Sequence, residues 1–394
     1  MRLVILAKST TVHRFGGMET HAEAVAKAAV DLGHEVVLLT TAHPHGLTQE
    51  VHDDLAIEYL DGAPPGLDSR TWWVKSAEAV RRLQKQGFGD LILSLSLAGY
   101  GVACLSTEIP HFAFTFGRTL AHLVGEWHNC SGAERLIAYP KRALAICYYG
   151  GIERHLWNRL NGIIATDDVL YQLLKEHGWR VFLCYNGTDP RQFRPDRGLR
   201  EATRQNMGIP RDALVLLMVA TVNRQKGIWL GIQAFHDLAV TWPSLHLVIV
   251  GEGPDRPRLE ATLQGTSFVG RAHFVGAIPL PETAAHFAAS DLLIYPTLRP
   301  EGLPNAIVQA MAAGLPVVAT DRGGIRTAVQ HQETGLLLST PAVTPLREAI
   351  RIFLTDPALI TSMGERARER ALSLFDIRIQ VARLLHELSH AARN

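Results

Sequence analysis

Glu301 and Gln309 lie eight positions apart within residues 297–320, on either side of a predicted helix start. Pro304 is a residue favoured at the first position of a helix, so the helix is predicted to begin near that residue. The backbone N–H groups of its first turn, around residues 303–306, form a positive end that stabilises phosphate. Gln309 lies about 7 Å further along the axis, at 1.5 Å per residue. The two polar side chains can therefore serve groups on opposite sides of a phosphate, which is the layout of a nucleotide sugar.

Arg224 and Lys226 are two cations that follow an apolar run at residues 214–221 and precede a predicted helix. Ligands of α/β folds bind where such a turn leaves the carboxyl end of a strand. An ammonium and a guanidinium at this place can clamp a diphosphate through charge-assisted hydrogen bonds. The alternative is solvated surface cations, and the position in the turn favours the clamp.

Gly16 and Gly17 occupy the corresponding place in the first half of the chain, between the first predicted strand and the first predicted helix. Residues without a side chain let the backbone approach a ligand closely, and their N–H groups can bind an anion. A plain surface loop is the alternative. Because the pair follows the carboxyl end of a strand, we favour contact with a phosphate or a sugar.

Strand and helix patterns alternate along the chain. Apolar runs of strand length occupy the first half at residues 3–7, 34–40, 91–97, 111–116, 162–166 and 181–186, with a helical pattern at 19–31. In the second half, such runs occur at 214–221, 245–251, 273–278, 291–297 and 317–320, separated by helical patterns at 227–240, 254–264 and 281–290. Continuous apolar runs are typical of strands buried on both faces of a parallel sheet. The alternation predicts an α/β fold built from doubly wound, Rossmann-like domains.

Two domains are expected because the chain has 394 residues, which exceeds the length that normally folds around a single hydrophobic core. The segment 187–200 is rich in proline, glycine and charge, and is predicted to be the interdomain linker. The predicted domains are residues 1–190 and 191–375, followed by a C-terminal helix at 376–394 that packs back toward the first domain. Since ligands bind at the carboxyl ends of parallel strands, the two sheets are expected to face each other across one interdomain cleft.

Composition excludes several classes of protein. The net charge is +1 and the basic residues are spread along the chain, which argues against nucleic acid as the main partner. The four cysteines form no C-x-x-C pair and are expected to be reduced core residues, as in a cytoplasmic protein. No apolar run is long enough for a signal peptide or a membrane span. The basic and aromatic segment 118–159 leaves two alternatives open: a contact with a membrane surface or lipid-linked acceptor, or a solvated helix face.

Other chemistries lack their motifs. The segment 251–256 resembles a dinucleotide fingerprint, but Arg256 stands where its last glycine belongs, which disfavours nicotinamide binding. The sequence contains no G-x-S-x-G and no G-x-x-x-x-G-K-[ST], so a serine hydrolase and a Walker-type nucleotide hydrolase are unsupported. It contains no Asp-x-Asp either, and a metal-bound diphosphate is not indicated.

Four segments in order resemble glycosyltransferase family 4, the retaining nucleotide-sugar glycosyltransferases of the GT-B fold. FGGMETHAEAVAKAAVDLGHEVVLLT, from residue 15, resembles the family's glycine loop and first helix. NGTDPRQFRP, from residue 186, resembles its linker, and ATVNRQKG, from residue 220, its Lys-Gly phosphate turn. EGLPNAIVQAMAAGLPVVAT, from residue 301, is similar to its E-x7-E donor element. The resemblance covers nearly the whole chain.

The resemblance implies a role for each matching residue. Arg224 and Lys226 would bind the pyrophosphate, and Glu301 the hydroxyls of the donor sugar. The other donor-binding residues implied are Gly16, Gly17, Gly302, Leu303, Asn305 and Gln309, and the acceptor-side candidates are Glu19, His21 and Phe116. Three positions depart from the family pattern: Gln309 replaces the second glutamate, Thr221 the usual arginine, and Phe116 a histidine.

The expected function is transfer of a sugar from a nucleoside-diphosphate sugar to an acceptor hydroxyl, with retention of anomeric configuration. The acceptor class is a glycan, a glycolipid or a natural product, and neither a cofactor nor a metal is expected. The protein is expected to be cytoplasmic, with peripheral association at the inner face of the membrane left open. Two alternatives remain: a non-catalytic nucleotide-sugar-binding protein of the same fold, and a nucleotide-sugar epimerase of the GT-B fold.

Overall fold

The computed structural model describes residues 1–14, 16–105, 107–116, 148–266 and 268–393. The chain divides into two compact units. The N-terminal unit comprises Met1–Gly187 together with Ile377–Asn394, and the C-terminal unit comprises Thr188–Asp376. The two units are of similar size, and each is built on one sheet of its own.

The N-terminal unit is an eight-stranded sheet flanked by helices. Its strands are β1 (Arg2–Leu6), β2 (Glu35–Thr41), β3 (Gln49–His52), β4 (Leu55–Leu60), β5 (Leu91–Leu95), β6 (His111–Thr115), β7 (Gly162–Ala165) and β8 (Val181–Leu183). Its helices include α1 (Gly17–Asp31), α2 (Arg70–Lys85), α3 (Tyr100–Ala103) and α4 (Asp168–Glu176). The strand order is β3-β4-β2-β1-β5-β6-β7-β8, and every pair is parallel except β3 with β4. Side chains of β1, such as Leu3 and Ile5, are fully buried in the core.

The edge of this sheet contains a hairpin, β3 with β4, that the sequence did not predict. Its turn is made by Asp53 and Asp54, both of which have positive φ angles of 48° and 65°. Asp tolerates the left-handed region better than most residues. The strand β3, with sequence QEVH, is polar and mostly exposed, so it lacks the apolar run on which the strand predictions relied.

The C-terminal unit contains a six-stranded sheet in which every pair is parallel, in the order β11-β10-β9-β12-β13-β14. Its strands are β9 (Leu214–Val219), β10 (Leu245–Val250), β11 (Ala272–Gly276), β12 (Leu292–Tyr295), β13 (Val317–Thr320) and β14 (Gly335–Leu338). Its helices are α5 (Arg197–Asn206), α6 (Ile228–Ala239), α7 (Arg256–Leu263), α8 (Leu280–Ala289), α9 (Asn305–Ala312), α10 (Ile325–Ala328), α11 (Val343–Thr355) and α12 (Ala358–Leu374). The α/β prediction is therefore confirmed in both units.

The last helix, α13 (Ile377–Ala391), belongs to the N-terminal unit although it follows the C-terminal unit in the chain. It packs against α1, and its side chains Leu384 and Leu388 are buried in the same core as β1. Among the described residues, no helix has the length and apolar character needed to span a bilayer.

The segment predicted to be a linker is largely part of the C-terminal unit. Phe193 is 1% exposed and its ring lies 5.5 Å from that of Phe287, edge to face. Asp196 caps α5 by accepting a hydrogen bond from the Leu199 N–H at 2.9 Å. A buried aromatic ring and a helix cap therefore hold this stretch in place within the C-terminal unit.

Asp291 ties the starts of two neighbouring strands together. Its carboxylate accepts hydrogen bonds from the Val215 N–H at 2.7 Å and from Arg204 at 2.8 Å. Arg204 is 2% exposed and also donates to the Ala213 and Ala289 carbonyl oxygens, each at 2.8 Å. This network secures β9 beside β12, so the loops at their carboxyl ends also lie side by side.

The cysteine prediction is partly wrong. Cys184 is a buried free thiol, and burial raises its pKa to about 12. Cys104, by contrast, is exposed and is not a core residue. Cys130 and Cys147 lie outside the described residues.

Candidate functional site

The loops that follow β9 and β12 bring Lys226 and Glu301 together. The two strands are paired, with Leu216 opposite Leu292 and Leu217 opposite Leu293. Lys226 Nζ lies 2.7 Å from Glu301 Oε1, and the two side chains are only 14% and 8% exposed. Residues 75 positions apart thus form a largely buried ion pair at the sheet's carboxyl edge.

Lys226 has a second partner in Tyr295, the last residue of β12. Its ammonium donates a hydrogen bond to the Tyr295 hydroxyl at 3.0 Å and lies 5.5 Å from the ring centroid. Burial opposes the charge on Lys226, but Tyr295 and the Glu301 carboxylate outweigh it, and the Lys226 pKa is raised. Lys226 is therefore a cation at neutral pH.

Arg299 is a residue of this group that the sequence analysis missed. Its Nε lies 3.0 Å from Glu301 Oε1 and its Nη2 lies 3.2 Å from Oε2, so the guanidinium donates a hydrogen bond to each carboxylate oxygen. The Thr297 hydroxyl donates to Oε1 as well, at 3.1 Å. One carboxylate thus sits against two cations, and the group carries a net positive charge. The signal in the sequence was the position of Arg299, two residues before Glu301 in the same loop.

The charge state of Glu301 follows from these contacts. Burial alone would raise its pKa, but attraction to Lys226 and Arg299 outweighs burial and the pKa is lowered. Burial raises the pKa of the neighbouring Tyr295 phenol, with the Glu301 charge acting in the same direction. At neutral pH the arrangement is therefore an ionised carboxylate, two cations and a neutral phenol, which suits an anionic ligand with hydroxyl groups.

Gly227 sets how closely the two loops approach. Its φ is +70°, and a Cβ built on it would overlap the carbonyl oxygen of Pro296. The Leu298 N–H donates to the Gln225 carbonyl oxygen at 2.8 Å, which joins the loops through their backbones. The Asn223 side chain accepts from the Lys226 N–H at 3.0 Å and shapes the short turn. Lys226 is therefore positioned by backbone contacts that only glycine permits.

Glu301 is fixed through its own backbone. Its carbonyl oxygen accepts from the Gly324 N–H at 2.8 Å, and it forms a β-bridge with Gly323, whose φ is +64°. A Cβ on Gly323 would overlap the Glu301 carbonyl oxygen. The loop after β13 thus supports the loop after β12, and the Glu301 carboxylate is held in a defined place.

The helix after Glu301 forms nearly as predicted. Helix α9 begins at Asn305, and Pro304 is its extended N-cap residue, not its first helical residue as predicted. Gly314 follows the helix with φ +79°, as a helix end requires. Gln309, in the middle of α9, is 7% exposed. Gly302 and Leu303 lie in the connection between Glu301 and Pro304, and Leu303 is 2% exposed.

Arg224 does not join the buried group. It begins the short 3-10 turn Arg224–Lys226, its side chain is exposed, and it has no ion pair with another described residue. Thr221, where the family pattern has its arginine, is also exposed. The two cations that the structure brings together are Lys226 and Arg299.

In the N-terminal unit, Gly16 caps α1 and Gly17 is its first residue. Glu19 is 1% exposed, and its Oε1 accepts from Ser9 Oγ and from Arg14 Nε, each at 2.6 Å. A Cβ on Gly16 would overlap the other carboxylate oxygen of Glu19. Gly16 therefore makes room for a buried carboxylate, in addition to any contact it makes with a ligand.

His21 and Phe116 pack together. The His21 ring lies 5.0 Å from that of Phe114 and 5.2 Å from that of Phe116, edge to face in both cases. His21 is 1% exposed, and its ring nitrogens have no hydrogen-bond partner within the described part of the chain. Burial lowers its pKa to about 4, so the imidazole is neutral. Their acceptor-side role stays a prediction, and most of the basic and aromatic segment, residues 118–147, lies outside the described residues.

Comparison with known proteins identifies the family. The model of the family described as "Glycosyltransferase Family 4" matches residues 15–192, and the model of "Glycosyl transferases group 1" matches residues 200–370. The 2-deoxystreptamine glucosyltransferase of Streptomyces kanamyceticus is 30% identical over 366 residues, which cover 88% of this chain and 91% of that protein. This chain belongs to glycosyltransferase family 4. The predictions of the family and of a transferase enzyme are confirmed.

Another relative of this family 4 glycosyltransferase is similar over a shorter length. A GDP-mannose-dependent alpha-(1-6)-phosphatidylinositol monomannoside mannosyltransferase of Mycolicibacterium smegmatis is 31% identical over 209 residues. The match covers 52% of this chain and spans 54% of that protein.

Solved structures show the fold of the family 4 chain. Sucrose-phosphate synthase from Thermosynechococcus elongatus has a TM-score of 0.80 at 22% identity, covering 99% of this chain and 100% of that chain. Anabaena HepE, solved in complex with UDP and glucose, has a TM-score of 0.75 at 18% identity, covering 99% of each chain. The predicted GT-B fold class is confirmed.

Proposed function

We propose that this protein is a retaining, metal-independent glycosyltransferase that moves a sugar from a nucleoside-diphosphate sugar to an acceptor hydroxyl. The observation that carries the proposal is the buried group formed by Lys226, Arg299 and Glu301 at the carboxyl edge of the C-terminal sheet. Two cations on one carboxylate offer an anionic ligand both a positive site and a hydroxyl acceptor within a few ångströms.

The relatives support a nucleotide-sugar donor. The mycobacterial mannosyltransferase depends on GDP-mannose by its name, and HepE was solved with UDP and glucose. Those ligands carry different bases and the same diphosphate. We therefore assign the diphosphate and the attached sugar to the site and leave the base open.

We propose that the protein catalyses the chemical step mainly by electrostatic stabilisation. The bond between the anomeric carbon and the diphosphate oxygen breaks with its electron pair on the oxygen, while the acceptor oxygen bonds to the same face of the anomeric carbon. The proton of the acceptor hydroxyl passes to the departing diphosphate oxygen. Negative charge therefore grows on the departing diphosphate and positive charge on the sugar. Lys226 and Arg299 stabilise the diphosphate, and a preorganised cation contributes on the order of 10²-fold or more to such a step. Because the protein supplies both cations, we propose that no metal takes part.

Glu301 has two tasks in this account. Before the donor binds, its carboxylate holds Lys226 and Arg299 beside each other at the sheet edge. With the donor bound, the carboxylate orients hydroxyls of the sugar. Lys226 and Arg299 then donate some of their hydrogen bonds to the diphosphate. The two cations and the one carboxylate together carry a net positive charge, which is available to the donor diphosphate. When the donor binds, each charge therefore still has a partner of opposite sign.

The remaining residues surround the donor in the proposal. Gly302, Leu303 and Asn305 present backbone N–H groups to a phosphate at the start of α9, and Gln309 hydrogen-bonds the ribose. Arg224, which is exposed, takes an outer place at the diphosphate. Gly16 and Gly17 are further donor-binding residues in the proposal, and Glu19, His21 and Phe116 are its acceptor-binding candidates.

Ligand-induced thermal stabilisation tests the donor assignment. UDP-, GDP- and ADP-sugars are added in turn, and a donor at 100 times its dissociation constant stabilises the protein by about 2.7 kcal/mol. We expect one nucleotide series to raise the unfolding midpoint, and this shift to be lost in Lys226→Ala and Arg299→Ala. No shift with any nucleoside diphosphate or its sugars would contradict the proposal.

Two departures from the family pattern bear on how this enzyme binds donor and transfers the sugar. Gln309 brings no charge to the ribose end, and Phe116 stands where the family pattern has a histidine. Calorimetry with a broad acceptor panel tests the proposal despite these departures. Release of the nucleoside diphosphate that depends on an acceptor would support the proposed transfer, whereas donor binding without hydrolysis or transfer would contradict it.

A further inference from the structure

The C-terminal helix carries two exposed histidines one turn apart. Residues 386–390 read His-Glu-Leu-Ser-His, the H-E-x-x-H pattern that places two histidines at positions i and i+4 on one face of a helix. Both His386 and His390 lie in α13 and are exposed to solvent. Neither belongs to the group around Glu301, and they lie in the other unit of the chain.

The two rings converge on one point. Their centroids are 4.6 Å apart at an interplanar angle of 71°, and their Nε2 atoms are 3.3 Å apart. Two nitrogen ligands at about 2.0–2.1 Å from a zinc ion, at the tetrahedral angle, are separated by about 3.3 Å. The two Nε2 atoms are also within hydrogen-bond distance of each other, one ring donating and the other accepting. The separation therefore matches that of two nitrogen ligands of one metal ion.

The opposite face of α13 keeps the pair in this geometry. Leu384 and Leu388 are buried in the core of the N-terminal unit. The helix continues past His390, where the Ala392 N–H donates to the Leu388 carbonyl oxygen at 2.9 Å and Arg180 donates to the Ala391 carbonyl oxygen at 3.2 Å. The two histidines thus stand on a helix whose inner face is anchored, which reduces the ordering needed when a ligand binds.

We propose that His386 and His390 form a two-histidine chelate for a late first-row transition-metal ion, Zn²⁺, Ni²⁺ or Cu²⁺. Imidazole nitrogen suits these ions, whereas Mg²⁺ and Ca²⁺ prefer oxygen ligands. Within the described residues, no group of three or more His, Cys, Asp or Glu side chains is arranged to hold a metal, so the proposed site takes two protein ligands from this part of the chain. A site with only two protein ligands binds and releases its metal reversibly. It is not a peptidase centre, because a catalytic zinc normally has three protein ligands.

Titration calorimetry on the full chain, prepared without a polyhistidine tag and stripped of metal with EDTA, tests the proposal. With ZnCl₂ at pH 7.5 we expect one site per chain that is lost, or at least tenfold weaker, in both His386→Ala and His390→Ala. His45→Ala removes another exposed histidine and should bind Zn²⁺ as the parent does. MgCl₂ should give no site that depends on either histidine.

A second measurement identifies the ligands directly. Electron paramagnetic resonance of the Cu²⁺ form should show coordination by two imidazole nitrogens in the parent and by fewer in each variant. Circular dichroism checks that each variant keeps its helix content, and His386→Gln and His390→Gln replace any alanine variant that does not. Zn²⁺ affinity unchanged in the single variants, or a Cu²⁺ spectrum unchanged by them, would overturn the proposal.

Discussion

Among single residues, the candidate site depends on one carboxylate, that of Glu301, which lies between the cations Lys226 and Arg299. Glu301 is 8% exposed, Lys226 14% and Arg299 29%, so solvent screens these charges only partly. Removing one partner from such a group leaves a buried charge with less compensation, which is costly. Substitutions here should therefore affect donor binding and the stability of the C-terminal unit together, and each test needs a control for folding.

Arg299→Ala should lower turnover by about 10²-fold, because it removes one of two cations that stabilise the leaving diphosphate. Arg224→Ala is the matched control. Arg224 lies in the turn that contains Lys226 and its side chain is exposed, so turnover should fall by less than about tenfold. Steady-state assays with the identified donor compare the two variants. If Arg224→Ala proved the more damaging change, the second cation of the site would be Arg224.

Glu301→Ala should be more damaging to transfer than Gln309→Ala. Glu301 both orients the sugar and holds the two cations, whereas Gln309 is a neutral, buried side chain on α9 that is proposed to hold the ribose. We expect Glu301→Ala to reduce kcat, and Gln309→Ala mainly to raise KM for the donor. Measuring both constants for each variant decides between the roles. The reverse order would show that the chemistry lies at the ribose end.

At the scale of elements, the neighbouring positions of β9 and β12 make the site. Lys226 follows one strand and Glu301 follows the other, and Gly227 lets their loops touch. The strand-to-helix turns themselves were predictable from the apolar runs and the residues that follow them. The strand order was not, because β10 and β11 come between β9 and β12 in the chain but lie on the other side of β9 in the sheet. The pairing of Lys226 with Glu301, and the part played by Arg299, could therefore not be predicted.

Gly227→Ala should disrupt the site and destabilise the C-terminal unit by more than about 3 kcal/mol, since it combines a left-handed φ with overlap of the Pro296 carbonyl. Gly208→Ala provides the control. Gly208 has φ +67° and open space within 4 Å of the point where a Cβ would stand, so only the backbone strain of about 1–2 kcal/mol applies. Chemical unfolding measures both. Equal losses would mean that the loops after β9 and β12 do not depend on their close approach.

At the scale of the whole molecule, buried neutral histidines link stability to pH. Burial lowers the pKa of His21 to about 4 and that of His111 to about 3, and both lie in the N-terminal unit. An unfolded histidine binds its proton below about pH 6.5. Between that pH and the folded pKa, the unfolded state binds more protons than the folded state does. Stability is therefore fully present above about pH 6.5 and is lost as the pH falls.

His21→Leu should make the protein less sensitive to acid. The measurement is the change in thermal unfolding midpoint between pH 7.5 and pH 5.0, which should be smaller in the variant because one buried proton-binding group is gone. His45→Ala, which removes an exposed histidine, should leave that change as it is in the parent. An unaltered pH response in His21→Leu would mean that His21 is already protonated, or accessible to water, in the folded protein.

Turnover of Lys226→Ala with an identified donor and acceptor tests whether this site stabilises the leaving group in glycosyl transfer. Lys226 is buried, charged and bound to Glu301, and the proposal assigns it to the departing diphosphate. The measurement is the rate of acceptor-dependent nucleoside diphosphate release at saturating donor, for a variant shown by circular dichroism to be folded. We predict a loss of about 10²-fold relative to the parent. A rate near that of the parent would contradict the assignment of this site to glycosyl transfer.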